Sequence, residues 1–426
     1  MKPARVDLLV HSAAQLATCA SPGGPRRGKA MDDAGLIADG AVAIKGGRIV
    51  AVGSSEELLA RYVAEEELDA TGGVVCPGFV DPHTHAVFAG DRVDEFERRI
   101  RGETYQQIAA TGGGILSTVR ATRAAAVPSI VDESLVRLDE MFNFGTTTVE
   151  VKTGYGLDAA SEMKLLRAID RLDRTGPFEL VPTFMAAHAV PPEFAGRAGA
   201  YVELVVEELL PAALAWHEAS GFKGDGRPMF VDVFCEQHAF SLEQSRRILE
   251  AGRAAGLPLK VHVDQFTELG GLALALELGA TSVDHLDVTG ADGIRALAAS
   301  AAVGVVIPTA SFNLGSARYA DARAMIDAGA ALALTTDINP GSSPCPSLPL
   351  AMAIACRYQK LTPAEALVAG TINAAHAIGL GDRVGSIEPG KQADLLMLDA
   401  PDYRHLAYEF GGNPVAKVIK KGTIAI

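Results

Sequence analysis

GFVDPHTHAVFAGDR, residues 78–92, ends an apolar run in a proline and two histidines one residue apart, then turns through small residues to Asp91 and Arg92. At strand spacing, residues i and i+2 point to the same side. His83 and His85 can therefore present two nitrogens to one ion, form a proton-relay pair, or be two unrelated surface residues. The chain around them separates these readings. The run that leads into the pair, VVCPGFVD, is the first of eight: GTTTVEVK, FELVPTFMA, MFVDVFC, LPLKVHV, ATSVDHL, VGVVIPT and ALALTTD follow. Strands that read apolar throughout are buried on both faces, as in a parallel sheet covered by helices. Between them lie ESLVRLDEMFNFG, SLEQSRRILEAGRAAG and TELGGLALALELGA, with apolar residues at i, i+3 and i+4 and a closing Gly.

Eight strand–helix repeats over residues 76–383 predict an α/β fold, a closed (β/α)8 TIM-type barrel. A doubly wound open sheet is the alternative, but no GxGxxG follows the first strand. The flanks read differently. Residues 1–75 carry short alternating segments such as GAVAIKGGRIVAVG, and residues 384–426 carry ADLLMLDA and VAKVIKKGTIAI. Alternation bounded by turn residues reads as half-buried strands, so both termini are expected to build one small β-sandwich domain.

In a barrel of this kind the active site lies where the strands end. His83 and His85 follow the first run, Tyr155 the second, His188 the third, Glu236 the fourth, His262 the fifth, His285 the sixth and Asp337 the eighth. This clustering favours the metal reading of the HxH pair. His83, His85, His262 and Asp337 form a four-point shell whose imidazole and carboxylate donors suit Zn²⁺, Fe or Mn²⁺. The fourth run ends FVDVFCEQHAF, without the lysine that often bridges two metals, and Lys152 comes too early in the strand order to serve. A single metal is expected. His238, near the fourth strand end, could be a spare ligand, but is read rather as a capping or helix-surface residue. Water on such an ion has its pKa lowered from ~15.7 to about 7, with Asp337 placed to accept its proton. His285 is placed to polarise a carbonyl or shuttle a proton; the plainer reading pairs it with Asp284 or Asp287 as a buried structural histidine.

Composition sets the partners. The 426 residues carry 38 Lys and Arg against 52 Asp and Glu, a formal charge of −14. Such a surface repels phosphate backbones and anionic head groups, which argues against nucleic acid and membranes, and an anionic substrate would need a local cation. The five cysteines show no CxxC pair, which argues against a disulfide framework. No apolar run reaches the ~20 residues of a membrane span. The start, MKPARVDLLVHSAAQLATCAS, has the outline of a signal peptide, but Asp7, His11 and Gln15 interrupt it. A cytoplasmic protein is expected.

Several segments together resemble the imidazolonepropionase family of the amidohydrolase superfamily: DPHTHAVFAGDRVDEFERRIRGETYQQIAATGGGILSTVRATR, KTGYGLD, FMAAHAVPPEF, VHVDQF, VDHLD, TTDINPGSSPCPSLPLAMAIAC, and the ending from INAAHAIGLGDR to VIKKG. The HxH pair and the last Asp belong to the whole superfamily; GDRxxEF, TGGGI, GYGLD and TDINPGS are more particular. The resemblance implies hydrolysis of 4-imidazolone-5-propanoate to N-formimino-L-glutamate in histidine degradation, with one Zn²⁺ or Fe³⁺ per chain and a homodimer as a superfamily arrangement. It implies metal ligands His83, His85, His262 and Asp337, and His285 as the acid–base histidine. Arg92, Tyr155 and His188 would hold the substrate, Arg92 on its propanoate, with Asn339, Gly341 and Ser342 lining the pocket. Gln265 stands where some relatives carry Glu; an amide can hydrogen-bond but not take a proton, so it is assigned to binding. A guanidinium suits a desolvated carboxylate, although Arg92 could equally pair with Asp94 or Glu95 on a helix surface. TGGGI lacks a following GK[ST] and reads as a loop near the barrel mouth rather than a phosphate cradle.

Overall fold

A computed structural model describes residues 3–21, 23–103, 107–108 and 111–426. Strands β1 (Ala4–Ala17), β2 (Leu36–Lys45), β3 (Arg48–Ser54), β4 (Tyr62–Asp69) and β5 (Val74–Pro77) open the chain. The barrel strands follow: β6 (Phe79–Asp81), β7 (Thr146–Lys152), β8 (Glu179–Ala187), β9 (Phe230–Cys235), β10 (Lys260–Val263), β11 (Ser282–His285), β12 (Val303–Val306) and β13 (Ala331–Leu334). Strands β14 (Leu395–Leu398), β15 (Val415–Lys420) and β16 (Thr423–Ile424) close the chain.

Both termini build one sheet, ordered β16-β15-β14-β5-β1-β2-β3, with β4 also paired to β1. Strand β1 serves two parallel neighbours because it changes course at Ser12, whose φ of 60° coincides with a register shift against β2. Ala4–His11 pair with β4, and Gln15 and Leu16 with β5. The alternating pattern puts Leu8, Val10, Leu16, Val42, Ile44, Val75, Leu395 and Ile419 in one apolar cluster. Backbone bonds between Ile49 and both Lys391 and Gly390 tie β3 to the segment before β14.

The eight barrel strands are parallel and run in chain order from β6 to β13. Side chains join β13 to β6. Asp81 accepts from both Thr335 and Thr336 hydroxyls and from the Thr336 N–H, and the His85 N–H donates to Ile338. Burial pushes the Asp81 carboxyl up to about 6 against these donors. Outer helices include Val127–Asn143, Ala159–Thr175 and Leu242–Ala254, each burying an apolar stripe. Ser241 and Gln244 cap the last of these reciprocally, the S-x-x-Q pattern visible in its sequence.

One strand of the sequence reading is corrected. VVCPGFVD is not a single barrel strand: Val74–Pro77 pair with β1 and β14 in the terminal sheet, and only Phe79–Asp81 enter the barrel. Gly78 makes the crossing, because a methyl group there would lie 2.4 Å from Thr147 Oγ1. An apolar run carries no mark of which sheet each half joins. All five cysteines are free. Among the described residues no helix is long and apolar enough to cross a membrane.

Candidate active site

Of the polar strand-end and site residues singled out from the sequence, all line one pocket except Glu236, His238 and His83, and His83 lies fully buried beneath it. The pocket opens at the carboxyl ends of the barrel strands. His83 and His85 sit just past β6, on a segment pinned from both sides. The Lys152 N–H donates to the Thr84 carbonyl, and the Thr84 N–H to Glu150. His262 belongs to β10, and His285 ends β11.

His83, His85 and His262 each offer a ligand nitrogen, all within 4.8 Å of one another. His262 Nε2 lies 3.4 Å from His85 Nε2, and Asp337 Oδ1 lies 3.5 Å from His83 Nε2 and 3.8 Å from His85 Nε2. Among the described residues the buried His83 Nε2 has no hydrogen-bond partner, a costly state unless something else occupies its lone pair. Burial, reinforced by neighbouring cations, holds these three imidazoles well below their ordinary pKa. They are therefore neutral with lone pairs free, as metal coordination requires. The donor set fits a transition-metal ion, and His83, His85, His262 and Asp337 are the residues that would hold it.

Beneath the histidines lies a charged layer that the sequence reading missed. His83 Nδ1 meets Asp284 Oδ2 at 2.7 Å, and His262 Nδ1 meets Asp232 Oδ1 at 3.0 Å. Lys152 donates to Glu150 Oε1 at 2.8 Å and Asp232 Oδ2 at 2.9 Å, and Lys260 lies 3.4 Å from Asp284 Oδ2. All these side chains are buried within the barrel. The signal was present as charges at alternate positions of otherwise apolar runs: VEVK, FVDVF, LKVHV and SVDHL. Asp284 thus orients His83, so the structural pairing of His285 with Asp284 does not form. His285 Nδ1 faces Asp287 instead, at 3.7 Å. Burial opposes charge on His285, but Asp287 and Asp337 outweigh it and hold its pKa above the ordinary value. Burial pushes the Asp337 carboxyl up to about 7 despite the pull of His285.

Around this centre, His188 stacks on His85 with ring centroids 4.6 Å apart and Nδ1 3.2 Å from the Gly154 carbonyl. Burial lowers its pKa to about 4, so the ring is neutral. Tyr155 lies 5.8 Å from His85, ring to ring. Asn339 shapes the DINPGS loop: its Oδ1 accepts from Gly341 and Ser342 N–H, and its Nδ2 donates to the Asp337 carbonyl and Ser342 Oγ. Arg92 bonds Glu95 at 2.8 Å, but inside the pocket wall rather than on a helix surface. Arg99, absent from the sequence reading, lines the same wall. Glu236 turns away to the Phe266 and Thr267 amides, and His238 is exposed. In TGGGI, the Gly114 N–H donates to Glu95 Oε1.

A family model described as the amidohydrolase family matches residues 74–425, and one described as an imidazolonepropionase-like composite domain of bacteria matches residues 40–62. Imidazolonepropionase of Chloroflexus aggregans is 61% identical over 99% of this chain and 98% of its own length. That of Herpetosiphon aurantiacus is 51% identical over 98% and 97%. Among solved structures, a zinc-bound adenosine deaminase from Xanthomonas campestris superposes with a TM-score of 0.72 at 20% identity, covering 100% of this chain and 94% of that one. E. coli guanine deaminase gives 0.71 at 16% identity, covering 98% of each. These two likenesses concern the fold alone.

Proposed function

The chain belongs to the amidohydrolase family and within it to the imidazolonepropionases, and from that membership we infer that it hydrolyses the cyclic amide of 4-imidazolone-5-propanoate to N-formimino-L-glutamate, a step of histidine degradation. The observation that carries the reading is one pocket holding both a histidine–aspartate cluster and two guanidiniums. A pocket for a neutral purine or pyrimidine has no use for cations aimed at a carboxylate, which disfavours a deaminase.

In this reading His83, His85, His262 and Asp337 hold one Zn²⁺ or Fe³⁺. When bound, such an ion supplies Lewis acidity toward a carbonyl oxygen and lowers the pKa of water. Hydrolysis adds the water oxygen to the ring carbonyl carbon and breaks its bond to the ring nitrogen. A carboxylate oxygen of Asp337 takes the water proton and passes it to that departing nitrogen. Its place beside both the ion's ligands and His285 puts it within reach of both halves of the transfer. His285 donates a hydrogen bond to the carbonyl oxygen as negative charge gathers there. His188, its Nδ1–H committed to Gly154, presents Nε2 as an acceptor for a ring N–H. Arg92 holds the propanoate, Tyr155 and Gln265 bond the ring, and Asn339 fixes the Gly341–Ser342 turn beside it.

Freshly generated 4-imidazolone-5-propanoate is the test substrate. Loss of its ultraviolet absorbance with formiminoglutamate appearing, at about one metal per chain, is the expected result. Bound metal without turnover would move the function to another cyclic amide or a heterocycle aminohydrolase.

A further inference from the structure

Two guanidiniums reach the same turn of the pocket wall, yet their electrostatic situations differ. Arg92 places Nε and Nη2 on Glu95 Oε2, both at 2.8 Å, and the side chains of this pair are each only 9% exposed. Glu95 is held in turn by the Gly114 N–H on its other oxygen. Arg92 is therefore one half of a buried pair with no net charge, and its Nη1 is the atom left toward Gly341, where a methyl group would come within 2.2 Å of it. Arg99 projects from the helix Val93–Ile100, whose N-cap is Arg92, seven residues on and so on nearly the same face. Its Nη2 donates to the Gly341 carbonyl at 3.2 Å. Among the described residues, no carboxylate lies within ion-pair distance of it.

Two guanidiniums and one carboxylate leave this end of the pocket one unit of positive charge, and that charge resides on Arg99. In a protein of formal charge −14, the overall field opposes an approaching anion, so a local uncompensated cation must draw it in. We propose that Arg99 is the second arm of the carboxylate clamp and carries its net charge. The propanoate is received between Arg92 Nη1 and the Arg99 guanidinium across Gly341, and Glu95 fixes the angle of Arg92 without taking part. This division rests on the function proposed above. It makes Arg92 chiefly a geometric element and Arg99 the specificity-determining one.

The experiment compares the full-length wild type, Arg99→Gln and Arg99→Lys on two substrates, 4-imidazolone-5-propanoate and its neutral propanamide analogue. Arg99→Gln is expected to raise KM for the acid by about 10- to 100-fold, the size of a lost charged hydrogen bond, with a much smaller change in kcat. The preference for acid over amide should collapse by the same factor, and Arg99→Lys should recover a large part of it. Raising the salt concentration should raise the wild-type KM for the acid and leave that of Arg99→Gln nearly flat. An equal loss on both substrates, or an unchanged preference, would reduce Arg99 to a structural residue and overturn the clamp while the proposed function stands. A wild type that turns over neither compound would overturn both.

Discussion

Asp337 adopts a φ of 50° and His285 a φ of 83°, backbone regions costly for side chains bearing a Cβ and sustained only where surrounding structure enforces them. For Asp337 the enforcement is visible. Its N–H donates to Thr335 Oγ1 and its carbonyl accepts from Asn339 Nδ2. Asp337→Ala is expected to abolish turnover and release metal; a variant retaining both would remove Asp337 from the ligand set. His285→Ala should keep its metal and lower kcat by about 10²- to 10⁴-fold, as for a lost acid–base group. Metal analysis beside the kinetics separates the two cases, since loss of metal from His285→Ala would make His285 a ligand. One layer down, Asp284 fixes the ring of His83 from a fully buried position. Asp284→Ala leaves Nδ1 without its acceptor, and affinity for the ion should fall by about 10- to 100-fold, read by competition with a chelator. An unchanged affinity would make Asp284 merely a counter-ion to Lys260.

Strands β8 and β15 meet where the barrel rests on the terminal sheet. Lys420 Nζ lies 2.9 Å from Glu179 Oε2 and 2.7 Å from Asp394 Oδ2, with Gln392 donating to the same Glu179 oxygen. Burial alone would raise the Glu179 carboxyl, but Lys420, Gln392 and Lys421 outweigh it and hold it well below the usual carboxylate range. A depressed carboxylate contributes stability that is fully present above its unfolded value of ~4.3 and fades as pH falls toward the folded value. Glu179→Gln should therefore be less stable near neutrality and lose less stability on acidification. Urea unfolding at about pH 7 and pH 3.5 checks this, and parallel losses in both proteins would rule it out. Gly78 is the other joint between the two sheets. Gly78→Ala would press its new methyl on Thr147, costing about 1–3 kcal/mol as overpacking does. A variant as stable as the wild type in the same urea titration would show that β6 and β7 can separate at no cost.

At the scale of the whole molecule, His83 and His85 after β6 meet His262 of β10 only when the barrel is closed, so an ion held by all three imidazoles binds the folded state. Zinc added to chelator-treated protein at roughly a thousandfold its Kd should stabilise the fold by about 4 kcal/mol, with a higher melting midpoint. His262→Ala should lose most of that shift, and a wild type whose midpoint does not move would refute the ligand set. The periods and motifs that foretold this arrangement are local. Eight apolar runs with helical spacers told of a barrel, alternating flanks told of one β domain from both termini, read as a sandwich and found as a single sheet, and polar residues at run ends gathered the pocket. Each is legible because side-chain direction repeats every two residues in a strand and every 3.6 in a helix. What the chain alone left open depends on distance in space. The halves of VVCPGFVD part company at Gly78 because of what each meets. Arg92 is neutralised by Glu95 while Arg99 is not, and His83 takes as its partner Asp284, 201 residues away. A linear pattern can say that a carboxylate is buried, but the radius of a closed barrel decides which cation or imidazole stands within 3 Å of it.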